Sequence, residues 1–389
     1  MNRARTKIVG STGQMRRPLA LLLLALGLLT ITACGGSATS TPASGAGGPA
    51  TTAPTAAATT AATAAATAAT GGASPTRAAS PAGSPAGAGA TPNTAIKISG
   101  KQGDADTLNA AGATFPAPLY SKWFDEYAKL TTVKVNYQAN GSGAGKKGIT
   151  DQTVDFAGSD SSMTDQELAD AKTKCGDTVL HFPSALGAIV VTYNVPGQEN
   201  TRLKMDGDTI AGIFLGDINK WNDQKLKDLN PGVNLPNQDI IVVHRSDGSG
   251  TTDNFTSYLA AVNQKWASGP KSGTSVNWPV GIGASGNQGV AGELKNNPNS
   301  VGYVEQNFAN QQKLPYADVK NKAGKFVTPS LPGVTAAAQA FAPTAPADFR
   351  FKIINADGDT SYPISVLTYL LVCPKQTDQA KAVAITRLF

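Results

Sequence analysis

Residues 240–252 read Ile-Ile-Val-Val-His-Arg-Ser-Asp-Gly-Ser-Gly-Thr-Thr, and this stretch decides the fold class of the chain. Residues 240–244 form a nearly continuous apolar run, which is typical of a strand buried on both faces. Small polar residues and glycines follow, and residues 255–262 then have the spacing of a helix. A buried strand, a Gly/Ser/Thr turn and a helix in this order predict one strand–helix unit of an α/β sheet.

The same order of features occurs at two earlier points in the chain. A strand at 108–110 leads into Gly112-Ala113-Thr114-Phe115-Pro116, and an alternating strand at 133–137 leads into Gly141-Ser142-Gly143. Pro116 and Pro118 stand where the first turn of a helix tolerates proline. Leu119, Trp123, Phe124 and Tyr127 then recur at helical spacing and predict the apolar face of that helix.

Further strands and helices fill the remainder of the body. Short apolar runs predict strands at 154–158, 189–193 and 367–372. Thr164, with Glu167 three positions later, predicts a capping box at the start of a helix. Because strands alternate with helices along the chain, the sequence predicts an α/β fold.

The three Gly/Ser/Thr turns share a chemistry. In an α/β sheet such turns lie at the carboxyl ends of strands, where ligands bind. Each offers unpaired backbone N–H groups, a hydroxyl and the positive end of a helix dipole. The turn residues are Thr114, Phe115, Ser142, Ser249, Gly250 and Thr251. Together with the nearby Arg245 they predict a pocket for a small tetrahedral anion.

Two charged features near the turns each allow two interpretations. Arg245 and Asp247 form either a surface ion pair of little energetic value or a pair in which Asp247 holds the guanidinium towards a bound anion. Asp160 follows the strand at 154–158 and is either the N-cap of the helix near Thr164 or an acceptor beside the anion. An acceptor there suits an anion that carries a proton, and it selects protonated phosphate over sulfate.

The charge of the chain does not predict a polyanion partner. The 33 basic and 27 acidic residues give a net charge of +6, but residues 1–33 hold five of the bases and no acid, and residues 34–95 hold only Arg77. The remaining 294 residues hold 27 bases and 27 acids. A nucleic-acid-binding body is therefore not expected.

The first 95 residues predict a leader and a tether. Arg16 and Arg17 precede an apolar run at 19–31, which suits a signal peptide and is too short to span a bilayer. The sequence Ile31-Thr32-Ala33-Cys34 resembles the lipobox of bacterial lipoproteins, which predicts cleavage after residue 33 and lipidation of Cys34. Residues 34–95 are rich in Ala, Thr, Pro, Gly and Ser and predict a disordered tether with a span of roughly 40–45 Å.

Several other sequence patterns do not indicate a particular function. Gly143–Gly148 and Gly281–Gly286 both match a dinucleotide-binding glycine pattern, which shows how often a glycine-rich chain produces it. His181 and His244 are the two histidines, and neither has the neighbours of a catalytic base or a metal ligand. Cys175 and Cys373 form either a disulfide or two buried thiols.

Taken together, the motifs of the body closely resemble the phosphate-binding proteins of Pst-type ABC transporters. The similarity runs from about Leu108 to the end of the chain. It includes Gly112-Ala113-Thr114-Phe115-Pro116, Gly141-Ser142, Ser159-Asp160, Arg245 with Asp247-Gly248-Ser249-Gly250-Thr251, Trp278-Pro279-Val280-Gly281 and Val301-Gly302-Tyr303-Val304-Glu305.

The resemblance implies a type II periplasmic-binding-protein fold with two α/β lobes, each a mixed sheet flanked by helices, and a hinge between them. Residues 96–192 are expected to begin lobe I, 193–350 to form lobe II and 351–389 to return to lobe I. The implied phosphate ligands are Thr114, Phe115, Ser142, Asp160, Arg245, Ser249, Gly250 and Thr251, with Asp247 supporting Arg245.

The implied function is that of an extracytoplasmic, lipid-anchored monomer that binds inorganic phosphate and passes it to the permease subunits of an ABC transporter. No catalytic residue, cofactor or metal is expected. The alternatives are a secreted phosphatase or phosphoryl-transfer enzyme on the same fold, and a binder of another oxyanion such as molybdate. The family usually continues beyond residues 367–372 with a long helix and further residues, so the end at Phe389 predicts a truncated lobe I.

Overall fold

The computed structural model of the chain describes residues 104–389. The signal peptide predicted at 1–33, the lipidation predicted at Cys34 and the tether predicted at 34–95 lie outside the described residues and stay predictions.

The described chain alternates strands and helices, which confirms the α/β fold class. The strands are β1 (Thr107–Gly112), β2 (Lys134–Gln138), β3 (Phe156–Ser159), β4 (Leu180–Asn194), β5 (Lys204–Met205), β6 (Ile241–Arg245), β7 (Ile282–Ala284), β8 (Ser300–Glu305), β9 (Asp318–Lys320), β10 (Phe326–Val327) and β11 (Ser365–Val372). The helices are α1 (Ala117–Thr131), α2 (Ser142–Asp151), α3 (Asp165–Cys175), α4 (Gly207–Leu215), α5 (Gln224–Leu229), α6 (Gly250–Val262), α7 (Gln264–Ser268), α8 (Gly286–Asn296), α9 (Gln306–Gln311), α10 (Leu331–Phe341) and α11 (Gln379–Leu388), with a 3₁₀ helix at Ala342–Thr344.

The main sheet has two halves that share one strand. Its order is β2-β1-β3-β11-β4-β8-β6-β7, and β10-β9-β5 form a second, small sheet. Residues 180–188 of β4 pair with β11, whereas residues 189–194 pair with β8. We call the half built on β1, β2, β3 and β11 lobe I and the half built on β6, β7 and β8 lobe II. The chain thus crosses between the lobes along β4.

Both lobes have mixed sheets. In lobe I, β1 pairs in parallel with β2 and β3, and β11 runs antiparallel to β3. In lobe II, β6 pairs in parallel with β7 and β8, and β4 runs antiparallel to β8. In both lobes the parallel strands are followed directly by helices, so their carboxyl ends point the same way within each sheet. The turns that follow them therefore meet at one edge of the sheet.

The crossing strand β4 is much longer than the strand predicted at 189–193. Residues 188–193 are continuously buried, which produced the apolar run, but most of residues 180–187 are exposed or half-buried. A strand that changes from a half-exposed to a fully buried environment has no single hydrophobic period. The sequence therefore revealed only its buried half.

Helix α1 begins as predicted, but one part of its predicted apolar face is wrong. Pro116 is the N-cap and Pro118 lies in the first turn. Phe124 and Tyr127 are buried, whereas Leu119 and Trp123 are about 40% exposed. Tyr120 takes the buried position instead, because its ring packs against Tyr137 of β2 at a centroid distance of 5.5 Å.

A disulfide joins Cys175 to Cys373, so the bridged alternative is the one that the structure shows. It links the end of α3 to the residue that follows β11, across 198 residues of sequence. Such a bridge stabilises a fold by about 2–4 kcal/mol, mainly by restricting the unfolded chain. It holds the late strand β11 within lobe I.

None of the helices in residues 104–389 has the length and apolar character needed to span a membrane.

Candidate functional site

The three predicted turns come together between the two lobes. Gly250, at the start of α6, is so close to lobe I that a Cβ atom on it would lie 2.6 Å from Oγ of Ser142 and 2.7 Å from Cβ of Asp160. The backbone N–H of Gly143 donates to the carbonyl of Gly248 over 2.8 Å. Turns that are 105 residues apart in sequence are therefore in direct contact.

The side chains at this meeting point are buried. The hydroxyl-bearing and charged residues Thr114, Ser142, Asp160, Arg245, Ser249 and Thr251 are each at most 3% exposed. Polar groups in such an environment need hydrogen-bond partners, since each unpaired donor or acceptor costs about 1–3 kcal/mol. A cluster of this kind is built for a polar ligand or for its own internal pairing, and the contacts of each group distinguish the two.

The side chain of Phe115 belongs to the hydrophobic core rather than to the polar cluster. Its ring packs against Gly187 of β4, where a Cβ atom would lie 2.4 Å from the ring. The side chain is only 7% exposed and belongs to the hydrophobic core of lobe II. The backbone N–H of Phe115 lies in the turn just before α1, so its predicted role in anion binding depends on this N–H and not on the ring.

Two helix N-termini face the site. Ser142 is the first residue of α2 and Gly250 is the first residue of α6. The first N–H groups of a helix lack intrahelical acceptors, and the helix dipole adds positive potential there. Ser249 caps α6 by accepting the N–H of Thr252. Gly141, just before α2, has a φ of 101°, and a Cβ there would lie 2.5 Å from Oδ2 of Asp247, so the position requires glycine.

Arg245 is buried and its partner Asp247 is half-buried, so the surface-pair interpretation is wrong. Nε of Arg245 donates to Oδ1 of Asp247 over 2.7 Å, and Nη2 contacts Oδ2. Asp247 also accepts the N–H of Gly286 over 3.0 Å. Burial alone would raise the pKa of Asp247, but the hydrogen bond and charge of Arg245 outweigh it and hold this pKa below its usual value.

The third guanidinium nitrogen of Arg245 is the least satisfied polar group of the site. Its Nη1 is buried and has no hydrogen-bond partner among residues 104–389. The side chain is 1% exposed, so bulk water does not reach it. Because Asp247 fixes the other two nitrogens, the N–H groups of Nη1 are held in one direction. A buried, oriented and cationic donor of this kind fits an anion.

Asp160 does not cap a helix, so that alternative is wrong. Thr164 caps α3 and forms the predicted capping box with Glu167, which is confirmed by both of its hydrogen bonds. Asp160 instead lies just after β3, where its Oδ1 accepts from Thr368 over 2.9 Å and its N–H donates to Oγ of Ser142. Burial raises the pKa of Asp160 to about 7, against the opposing effects of the Thr368 hydrogen bond and the Arg245 charge.

The site therefore combines many donors with two carboxyl groups, of which Asp247 is paired with Arg245 and Asp160 remains as an acceptor. Backbone N–H groups at helix starts, hydroxyls and Arg245 stabilise negative charge, because such donors are strong in a buried environment. Asp160 provides an acceptor in the same place. A tetrahedral anion that carries a proton satisfies both kinds of group, whereas an anion without a proton leaves the carboxyl group facing like charge.

Sequence reasoning missed three residues that structure the site. Asn254 donates to the backbone carbonyl of Asp160 over 2.6 Å, and Asn287 donates to Thr114 over 2.9 Å. Thr368 of β11 donates to Asp160. Asn287 had a signal in the sequence, since β7, Gly286 and α8 are a fourth strand–glycine–helix unit. This unit begins within the second glycine pattern, Gly281–Gly286, which also matches a dinucleotide-binding motif.

The two histidines have structural roles. Nε2 of His181 accepts the N–H of Met163 over 3.0 Å, so the proton is on Nδ1 and donates to Val179. Burial lowers the pKa of His181 to about 4. His244 stacks on Trp278 with ring centroids 4.7 Å apart. Within residues 104–389 no group of three His, Cys, Asp or Glu side chains is arranged to hold a metal ion.

A two-lobed α/β fold that buries a polar site between its lobes is the architecture of hinge-closing solute-binding proteins. A model of the PBP superfamily domain matches residues 48–385. The phosphate-binding protein PstS of Pasteurella multocida is 43% identical over 268 residues, which cover 69% of this chain and 76% of that protein. The PstS protein of Methanocaldococcus jannaschii is 39% identical over 284 residues, which cover 68% of this chain and 72% of the relative.

Solved structures show the same fold. A high-affinity periplasmic phosphate-binding protein bound with phosphate superimposes with a TM-score of 0.58 at 23% identity, covering 72% of this chain and 84% of that one. The phosphate-binding protein of Stenotrophomonas maltophilia gives 0.54 at 19% identity, covering 73% and 83%. The chain belongs to the PBP superfamily and, within it, to the PstS family of phosphate-binding proteins.

Proposed function

We propose that this chain binds one inorganic phosphate between its lobes and delivers it to the permease of an ABC transporter. The observation that carries the proposal is the buried Nη1 of Arg245, which is oriented by Asp247 and has no partner among residues 104–389. The names of the PstS relatives support phosphate as the anion. No other site of the described residues places an unpaired buried guanidinium beside two helix N-termini.

Each predicted ligand has a role in this proposal. Ser142, Gly250 and Thr251 offer N–H groups at the starts of α2 and α6. Thr114 and Phe115 offer backbone N–H groups in the turn before α1, and Thr114 also offers its hydroxyl. Ser249 adds its hydroxyl, and Arg245 adds the positive charge. Asp160 accepts the proton of the bound phosphate, so protonated phosphate is selected over sulfate.

Isothermal titration of the purified full chain with phosphate tests the proposal. The protein is first stripped of bound phosphate by reversible unfolding, because a tight ligand otherwise copurifies. We expect one site with a dissociation constant in the micromolar range or tighter. A folded protein that releases no heat with phosphate contradicts the proposal, and tighter binding of molybdate would reassign the site to another oxyanion.

We also propose that the protein acts outside the cytoplasm as a lipid-anchored monomer. The lipobox-like sequence before Cys34 and the length of the segment at 34–95 support this proposal. Detergent partition and mass spectrometry of the native chain and of Cys34→Ser test the anchor. Partition of both proteins into the aqueous phase contradicts it. Light scattering of the detergent-free soluble form tests the monomer.

The lobe boundaries predicted at 192/193 and 350/351 belong to the same proposal. Hinge closure moves lobe II onto lobe I while the connecting segments bend. Small-angle scattering with and without phosphate would detect this closure as a decrease in the radius of gyration. An unchanged radius in the presence of saturating phosphate contradicts a hinge between these lobes.

A further inference from the structure

Asn287 is a fully buried residue that connects the two lobes at the anion site. It lies near the start of α8 in lobe II and is 0% exposed. Its backbone N–H and its Nδ2 both donate to Oγ1 of Thr114 in lobe I, over 3.2 and 2.9 Å. Nδ2 also donates to Oγ1 of Thr251 over 3.3 Å. One amide group thus contacts a hydroxyl from each lobe.

The orientation of this amide is fixed by a third contact. Oδ1 of Asn287 accepts the backbone N–H of Glu305 over 3.0 Å. A backbone N–H can only donate, so the oxygen of the amide must face Glu305 and the nitrogen must face the two threonines. Both hydrogens of Nδ2 are therefore used, one towards Thr114 and one towards Thr251.

This arrangement determines the direction of the Thr114 hydroxyl proton. A hydroxyl has two acceptor positions and one proton to donate. Asn287 fills both acceptor positions of Thr114, so that hydroxyl acts as a donor only. None of the hydrogen bonds among residues 104–389 uses this proton. The proton is available to a ligand in the site.

We propose that Asn287 is a positioning residue for anion binding, which turns the hydroxyl of Thr114 into an obligatory donor towards the bound phosphate. This inference rests on the proposed function. Asn287 acts on the ligand indirectly, through Thr114. Its hydrogen bonds to Thr114 form only when lobe II lies against lobe I, so they depend on closure of the lobes. The hydroxyl of Thr114 therefore becomes a fixed donor only as the cleft closes, so anion selection and closure are coupled.

Asn254 provides a matched control. It is also a buried asparagine of lobe II, 2% exposed, and its Nδ2 also reaches across to lobe I. Its acceptor there is the backbone carbonyl of Asp160 rather than a hydroxyl. A carbonyl has no proton to direct, so Asn254 holds the lobes together without setting the polarity of a donor.

The test is a double-mutant cycle of Asn287→Asp with Thr114→Val, with phosphate affinity measured by calorimetry in alkaline buffer. The new carboxylate is nearly isosteric, still accepts from Glu305 and can still bond to Thr114, but it takes the hydroxyl proton for itself. We expect Asn287→Asp to weaken binding at least tenfold more in the native background than in Thr114→Val. Asn254→Asp brings a similar charge to the site and is expected to weaken binding equally in both backgrounds.

The outcomes separate the possible explanations. Equal weakening by Asn287→Asp in both backgrounds would show charge repulsion alone and would overturn the inference, as would an unchanged affinity. If Asn287→Asp does not melt cooperatively, Asn287→Ala enters the same cycle, and additive losses there overturn the inference as well. If the native chain does not bind phosphate, the proposed function is contradicted. If the native chain binds phosphate but the double-mutant cycle is additive, only the inference about Asn287 is contradicted.

Discussion

Arg245 and Arg350 both lie where the two lobes meet, yet their surroundings differ. Two nitrogens of Arg245 bind one carboxylate, the third has no partner among residues 104–389, and the side chain is 1% exposed. Arg350 is 23% exposed and donates to Asp348, Asp165 and the carbonyl of Met163. Arg350 lines a cleft of about 560 Å³, in which Lys146 pairs with Glu167 and Lys352 with Asp253.

The difference shows that positive charge does not by itself mark an anion site. The cleft at Arg350 has three cationic side chains, and each is paired with a carboxylate. Arg245 has a carboxylate partner too, but that partner leaves one side of the guanidinium unused. The site is recognised by a donor that the protein buries and does not satisfy, because such a donor gains most from a ligand.

Replacement of Arg245 by alanine is expected to have the largest effect. Hydrogen bonds to charged groups contribute roughly 1.5–3 kcal/mol each, so Arg245→Ala should weaken phosphate binding by about 3 kcal/mol, or roughly a hundredfold. Titration calorimetry measures this loss, and Arg245→Ala combined with Asp247→Asn controls for the carboxylate that the substitution leaves unpaired. An affinity within threefold of the native value would remove Arg245 from the site.

Asp160→Asn should change selectivity more than affinity. The amide can donate to an anion without a proton, which the carboxylate cannot do, so sulfate gains a partner. We expect the preference for phosphate over sulfate to narrow by at least about tenfold, which corresponds to roughly 1.4 kcal/mol. Competition of the two anions measures the ratio. A ratio equal to that of the native protein argues against the role of Asp160 as proton acceptor.

The carboxyl group of Asp160 should also make the preference for phosphate over sulfate depend on pH, although this effect is smaller. Burial raises the pKa of Asp160 to about 7, so Asp160 is ionised above this pH and takes up a proton as the pH falls through it. The protonated carboxyl can donate to an anion, and sulfate should therefore compete severalfold better in mildly acidic than in alkaline buffer. Asp160→Asn has no such titrating proton, so competition by sulfate should no longer change with pH in this variant. A native profile that is already flat contradicts this prediction.

Arg350→Ala should have the smallest effect and completes the comparison. Its hydrogen bonds are satisfied within the protein and its ion pairs are partly exposed, so phosphate affinity should stay within threefold. The free energy of unfolding should fall by no more than about 1 kcal/mol, as measured by denaturant titration. A loss of affinity like that of Arg245→Ala would show that the cleft itself attracts the anion.

The predictable part of the site consists of short-range patterns. Thr114, Ser142 and Ser249 follow strands and precede helices, so local sequence predicted them. The structure places these residues together, whereas their ligation of phosphate stays a prediction. Asn254, Asn287 and Thr368 could not be found in this way, because each acts through a partner that is at least 94 residues distant in sequence. The half-exposed start of β4 was missed since it has no regular hydrophobic period.

The position of β11 has a consequence for how the protein is made. This strand lies between β3 and β4 in the sheet, although about 170 residues separate β4 from it in the chain. Lobe I therefore lacks the strand that joins β3 to β4 until the ribosome has translated residue 372. The strands β6, β7 and β8, by contrast, are complete 67 residues earlier. During synthesis the strands of lobe II can therefore pair first, while lobe I waits with an open sheet edge. Holding the nascent chain unfolded until its last strand emerges would keep that edge from pairing with the wrong partner.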